Sequence, residues 1–284
     1  MKGRGSFLDA VSSVRLSSGS CLCIGLDPEP SRLPERFAGA GGLAAFCLHI
    51  VEATADLVCA YKPNTAFFER FGSPGWEALE QVIAGIPAHI PVIADAKRGD
   101  IGNTSKAYAD AMFEHLGVAA CTVSPYLGPD AVAPLLEHEG GFAFVLCRTS
   151  NAGAALLQDA LVDGEPLYAR VMRVFQPAIE SGHAGLVIGA RESQAFAWAD
   201  RLAPQAAILV PGIGAQGGTA RELGLSLTES QRRRVGVSVS RAIIHASDGD
   251  DFAQAARSQA LEYRDALRAD LSLGVASNNA SASS

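Results

Sequence analysis

Eight short runs rich in aliphatic and β-branched residues recur along the chain, and they limit the fold more than any other feature. They are CLCIGLD from Cys21, LVCAYKP from Leu57, PVIADAK from Pro91, ACTVSPY from Ala120, AFVLCR from Ala143, GLVIGA from Gly185, AILVPG from Ala207 and VGVSVSR from Val235. Most of the segments between them, such as LAAFCLHIVEATA, WEALEQVIAGI and SKAYADAMFEHL, carry apolar residues at helical spacing. Strands that alternate with helices in this way belong to a parallel sheet, because parallel neighbours need a crossover. Eight such units predict a closed (β/α)₈ barrel, an α/β TIM barrel, as a single domain over residues 1–275. A doubly wound open sheet is the alternative, but no GxGxxG turn follows the first strand, which weakens its dinucleotide-binding form.

In a barrel of this kind, functional groups come from the C-terminal ends of several strands. Those positions carry Asp27, Lys62, Asp95, Lys97, Ser124, Ser150, Gln216 and Arg241. A single charge at a strand end is ordinarily just solvated, but their joint occurrence points to a site. The stretch VIADAKRGDIGNT, residues 92–104, is the densest part. Side chains alternate along a strand, so Asp95 and Lys97 share the face that looks into the barrel mouth. Asp100 follows a turn at Gly99, and Asn103 or Thr104 is placed to cap a helix starting near Ser105. A lysine between two carboxylates stays charged, which suits a proton donor or electrostatic stabiliser better than a Schiff-base nucleophile. Two other readings stay open at this point, a divalent cation between Asp95 and Asp100 and a structural ion-pair network.

The last two strands end in PGIGAQGG (211–218) and SVSRAII (238–244). Gly214 and Gly217, with Gly212 and Gly218, permit close backbone approach to a phosphate; Gln216 adds an amide and Arg241 a planar fork. The run Arg232, Arg233 and Arg234 reads as a solvated basic stretch, and Arg191 is left unassigned.

With 23 basic and 30 acidic residues, the net charge of -7 opposes a nucleic-acid or anionic-membrane partner. The six cysteines lie in apolar runs with no CxxC pair, which points to buried reduced thiols and a cytoplasmic location. No run is expected to reach the length needed to span a bilayer. The small, polar stretch 276–284 is expected to be a disordered tail.

Taken together, CIGLDP (23–28), YKPN (61–64), DAKRGDIGNT (95–104), TSNAG (149–153), PGIGAQGG and SRAI (240–243) resemble the orotidine 5'-phosphate decarboxylase family, in its longer bacterial (type 2) branch. The resemblance implies decarboxylation of orotidine 5'-phosphate to uridine 5'-phosphate (UMP), the last step of UMP synthesis, with no cofactor and no metal. It further implies that Lys97 protonates the pyrimidine carbon that loses CO₂ and that Asp95 lies beside the substrate carboxylate. Lys62 and Asp27 would contact the ribose, Ser150 the pyrimidine, and Gln216 and Arg241 the phosphate. Asp100 and Thr104 would reach the neighbouring subunit's site, which implies a homodimer. A metal-dependent sugar-phosphate decarboxylase or aldolase, and a non-catalytic phosphate-binding barrel, are the competing readings.

Overall fold

The continuous apolar runs become strands buried on both faces, as parallel sheets require. A computed structural model describes residues 6–214 and 217–271, so Gln216 and the expected tail from Ala276 lie outside the described residues. The strands are β1 (Leu22–Leu26), β2 (Ala60–Pro63), β3 (Ile93–Arg98), β4 (Ala120–Val123), β5 (Ala143–Arg148), β6 (Ala184–Ile188), β7 (Ala207–Pro211) and β8 (Val235–Val239). All neighbours are parallel, in the order β2-β1-β8-β7-β6-β5-β4-β3. Isolated bridges between Tyr61 and Val92 and between Asn64 and Asp95 join β2 to β3 and complete the (β/α)₈ barrel. At this seam Tyr61 N donates to the Pro91 carbonyl at 3.2 Å and Thr65 N to the Asp95 carbonyl at 3.4 Å.

Alternation along each strand produces two separate cores. One face packs against the surrounding helices through side chains such as Ile24, Val145, Leu186, Ile208 and Val237. The other fills the barrel with Cys23, Ala60, Ile93, Phe144, Val187, Ala207 and Leu209. The helix Phe7–Ser18 closes the N-terminal end, where Phe7 stacks on Phe142 with ring centroids 4.7 Å apart and meets Phe144 edge-on at 5.4 Å.

Three expectations are corrected. First, the helix after β3 runs Gly102–Ala109 with Ile101 at its N-cap position, so Thr104 lies within the first turn and caps nothing. It continues as a π-helical turn over Asp110–His115. Second, the stretch Ala40–Leu57 is long and apolar enough, by length and composition, to cross a membrane. Here the helix Ala40–Thr54 buries Leu43, Phe46, Cys47, Ile50 and Val51 and packs against the helices Ser73–Gly85 and Phe252–Asp270. Third, Arg232 and Arg234 of the arginine triplet brace the N-terminal end of β8, while Arg233 alone is exposed as expected of a solvated run. Arg232 donates to the Gly224 carbonyl at 2.7 Å, and Arg234 donates to the Pro204 carbonyl and to Ser230 Oγ.

The two long connections have structure of their own. After β5 come a short helix (Ala154–Gln158), a hairpin (Leu161–Val162 with Glu165–Pro166) and the helix Leu167–Glu180. After β7, the helices Ala220–Ser226 and Glu229–Arg232 each begin with a capping box, Thr219 with Glu222 and Thr228 with Gln231.

Candidate active site

Strand β3 does not keep a regular ladder to its end. Its register against β4 shifts between Ala94 and Arg98, and Lys97 has a φ of 47°, in the left-handed region that non-glycine residues rarely enter. Bulges of this sort re-aim side chains. Here Lys97 is turned so that its Nζ lies 2.6 Å from Asp95 Oδ1. Lys62 on β2 approaches the other oxygen, Nζ to Oδ2, at 2.7 Å. Thr122 on β4 completes the arrangement: its hydroxyl donates to Asp95 Oδ1 at 2.9 Å and accepts from the Lys97 backbone N–H at 3.0 Å.

Burial and charge compete at this cluster. Burial by itself would push the Lys62 ammonium down, but Asp95, aided by Asp27, outweighs it and holds Lys62 above the ordinary lysine range. Burial would likewise raise the Asp95 carboxyl, yet Lys62 and Lys97 hold it below the usual carboxylate range. Lys62 is buried while the Lys97 side chain is half exposed, so the first braces the carboxylate and the second faces whatever enters.

These groups form one end of a cleft of about 510 Å³ at the C-terminal mouth of the barrel. Asp27, Ser150, Gly212, Ser240 and Arg241 line the rest of it, so residues far apart in sequence converge. Asp27 Oδ1 and Ser240 Oγ are buried there without a hydrogen-bond partner among the described residues, as expected of groups that a ligand would satisfy. Gly214 and Gly217 each have a φ of 82°, and Gly217 N donates to the Gly214 carbonyl at 2.9 Å, forming the tight turn next to the cleft.

The profile of the orotidine 5'-phosphate decarboxylase / HUMPS family matches residues 20–257 of this chain. The chain belongs to that family. The orotidine 5'-phosphate decarboxylase of Herpetosiphon aurantiacus is 47% identical over 260 residues, covering 90% of this chain and 96% of the relative. That of Roseiflexus castenholzii is 46% identical, covering 94% and 98%. The solved structure of Leishmania donovani OMP decarboxylase superposes with a TM-score of 0.82 at 35% identity, covering 94% of this chain and 99% of that one.

In this member of the orotidine 5'-phosphate decarboxylase / HUMPS family, a single chain brings together only part of the expected Asp95, Lys97 and Asp100 set. Asp100 does not flank Lys97 within the chain. Its Oδ1 accepts from Ile101 N at 2.8 Å, and neither Asp100 nor the exposed Thr104 lines the cleft. Within one chain the array is Lys62-Asp95-Lys97, a carboxylate held by two ammoniums. Among the described residues, no group of three or more His, Cys, Asp or Glu side chains is disposed to hold a metal ion.

Several polar cleft residues were given no role by the sequence, among them Thr122, Asn151, Gln158 and Ser240. Thr122 had a signal, since a hydroxyl at an inward position of a barrel strand asks for a partner. Asn151 lies in the TSNAG stretch without a role of its own, and Gln158 had no signal, because it comes from the long connection after β5. Gln158 is clamped to Thr149: Thr149 N donates to its Oε1 at 2.8 Å and its Nε2 donates to Thr149 Oγ1 at 2.9 Å. Arg191 lies beside the glycine turn, its Nη1 3.9 Å from where a Cβ on Gly217 would stand.

Proposed function

We propose that this chain decarboxylates orotidine 5'-phosphate to UMP, the last step of UMP synthesis, using its own side chains and no cofactor. The Lys62-Asp95-Lys97 array at the cleft mouth carries the reading. Relatives 46 and 47% identical that are named for this enzyme support the activity.

In the reaction, the bond from the pyrimidine carbon to its carboxylate breaks and the electron pair stays on that carbon. Lys97 Nζ donates a proton to it, and the amine regains a proton from solvent. Asp95 supplies two effects. It holds the Lys97 side chain in place at 2.6 Å, and it disfavours the substrate carboxylate placed beside it. At 4 Å and an effective dielectric of 20, that repulsion is about 4 kcal/mol. Enzymes lower barriers by roughly 8–23 kcal/mol, so most of the effect is assigned to Lys97 stabilising the developing carbanion and to remote phosphate binding. Lys62 and Asp27 hold the ribose and Ser150 the pyrimidine; Arg241, Gln216 and the turn at Gly214 and Gly217 take the phosphate.

The working unit in this reading is a homodimer in which Asp100 and Thr104 serve the neighbouring site. Neither lines its own cleft, and Ile101, Tyr126 and Leu127, on the loops after β3 and β4, are exposed apolar side chains suited to burial between subunits. The whole of residues 1–275 is taken as the catalytic domain.

The test follows the ultraviolet absorbance of orotidine 5'-phosphate with purified protein in EDTA. Turnover in EDTA is expected. Absence of turnover with or without added Mg²⁺ refutes the activity, and turnover only with Mg²⁺ refutes metal independence.

A further inference from the structure

A second cavity, of about 480 Å³, lies at the opposite, N-terminal end of the barrel beneath the helix Phe7–Ser18. The barrels of this fold class are normally filled by bulky branched side chains. Here Ala207 and Gly236 stand at the cavity wall over a packed floor of Cys23, Cys59 and Ala60, and among the described residues a Cβ built on Gly236 would meet no atom within 4 Å. The space is therefore encoded by small residues on several strands. Phe7, Leu8 and Val11 roof it, and Leu209 is the one described residue that borders both this cavity and the cleft above.

The rim is polar and of one sign. Among the described residues no carboxylate lines the cavity, whereas Arg15, Arg233 and Arg234 do. Arg233 is exposed and paired with Glu229. Arg15 and Arg234 make no ion pair among the described residues. Arg15 donates to the carbonyls of Val235 at 2.8 Å and Arg232 at 3.0 Å, and Arg234 to the Pro204 carbonyl and Ser230 Oγ. Each guanidinium is thus fixed in place by neutral acceptors, with further N–H donors and an uncompensated charge left over.

We propose that this cavity binds a small alkyl carboxylate, its chain beneath the helix against Leu8, Val11, Ala207 and Gly236 and its carboxylate on Arg15 and Arg234. An apolar cavity takes up hydrocarbon readily. The charge at the rim alone selects a ligand with a single anionic end, and a planar fork suits a carboxylate. A ligand here stands beneath the active cleft without entering it.

Isothermal titration of the full-length protein with octanoate tests the proposal. One octanoate per chain is expected, with octanol at least tenfold weaker. Gly236→Leu, which places a side chain in the open space, is expected to abolish binding while leaving the melting temperature at or above that of the parent. Ala207→Phe, aimed into the same space, gives a second filled variant with the same expected loss. Arg234→Gln is expected to weaken octanoate about tenfold and leave octanol unchanged. No binding of millimolar octanoate to the parent, equal affinity for octanol, binding that survives both filled variants, or displacement of octanoate by UMP would each overturn the proposal.

Discussion

Lys97 reaches back along its own strand to Asp95, placing Nζ 2.6 Å from Oδ1 from a backbone held at a φ of 47°. An uncommon backbone conformation at a functional side chain costs on the order of 1–3 kcal/mol, which the surrounding contacts must offset. The Thr122 hydroxyl, accepting from Lys97 N–H, is one of those contacts.

That geometry makes Lys97 the proton donor of the proposed reaction, and its removal separates chemistry from binding. Lys97→Ala is expected to lower kcat by at least about 10²–10⁴-fold, the usual contribution of a positioned acid. Affinity for UMP should stay within about tenfold of the parent, since the phosphate grip is intact. Lys97→Gly, which suits the left-handed backbone, should lose the same activity with no loss of stability. Titration of UMP beside single-turnover kinetics checks all three statements; loss of UMP binding in both variants would make Lys97 a structural residue.

The Lys62-Asp95 pair gives a pH signature with a definite sign. Asp95 is held below its ordinary value, so its contribution to stability is complete above an unfolded pKa of about 3.9 and fades as the pH falls below it. Lys62 is held above its ordinary value, so its contribution is complete below about 10.4 and fades only at higher pH. Asp95→Asn leaves the buried Lys62 unpaired and is expected to destabilise by about 3–5 kcal/mol. Denaturant unfolding should show this deficit constant between about pH 5 and 9 and shrinking below about pH 4. The double variant Lys62→Met/Asp95→Leu should recover much of the stability but none of the activity.

Arg241 opens the short helix after β8 and lines the same cleft as the array. A charge-assisted hydrogen bond to phosphate is worth roughly 1.5–3 kcal/mol, so Arg241→Ala should lower kcat/KM by about 10- to 150-fold. Uridine, which has no phosphate, should bind parent and variant alike. An equal loss for uridine and UMP would place Arg241 away from the phosphate.

Asp100 and Thr104 lie outside their own cleft, and the proposed dimer predicts complementation between variants. Lys97→Ala and Asp100→Ala proteins, each nearly inactive, should regain activity on mixing, because a hybrid dimer contains one site with both residues intact. Activity measured after subunit exchange, itself followed by native mass spectrometry, decides the matter. Full exchange without recovery would show that both residues act in one subunit's site.

Asp95 and Lys97 were legible because they sit two apart on an apolar run, and strand alternation assigns such residues to one face wherever the strand is placed. The same local logic marked Asp27, Ser150 and Arg241 as strand-end residues, and all three reach the cleft. Local pattern does not specify who the neighbours are. Lys62 meets Asp95 across 33 positions of sequence, at the seam where β2 and β3 come together. Gln158 enters the cleft from a short helix inside a long connection, where no periodicity marks it.

Hydrophobic periodicity in the sequence determined the eight-stranded barrel and the end of it that carries polar groups, because burial of alternating faces is a local rule. Tertiary closure alone decided that Asp95 is shared by two lysines, that Asp100 does not line the same cleft, and that small residues on separate strands leave a cavity under the N-terminal helix. Each of those outcomes depends on distances between strands that are remote in the chain, and such distances are fixed only when the barrel closes.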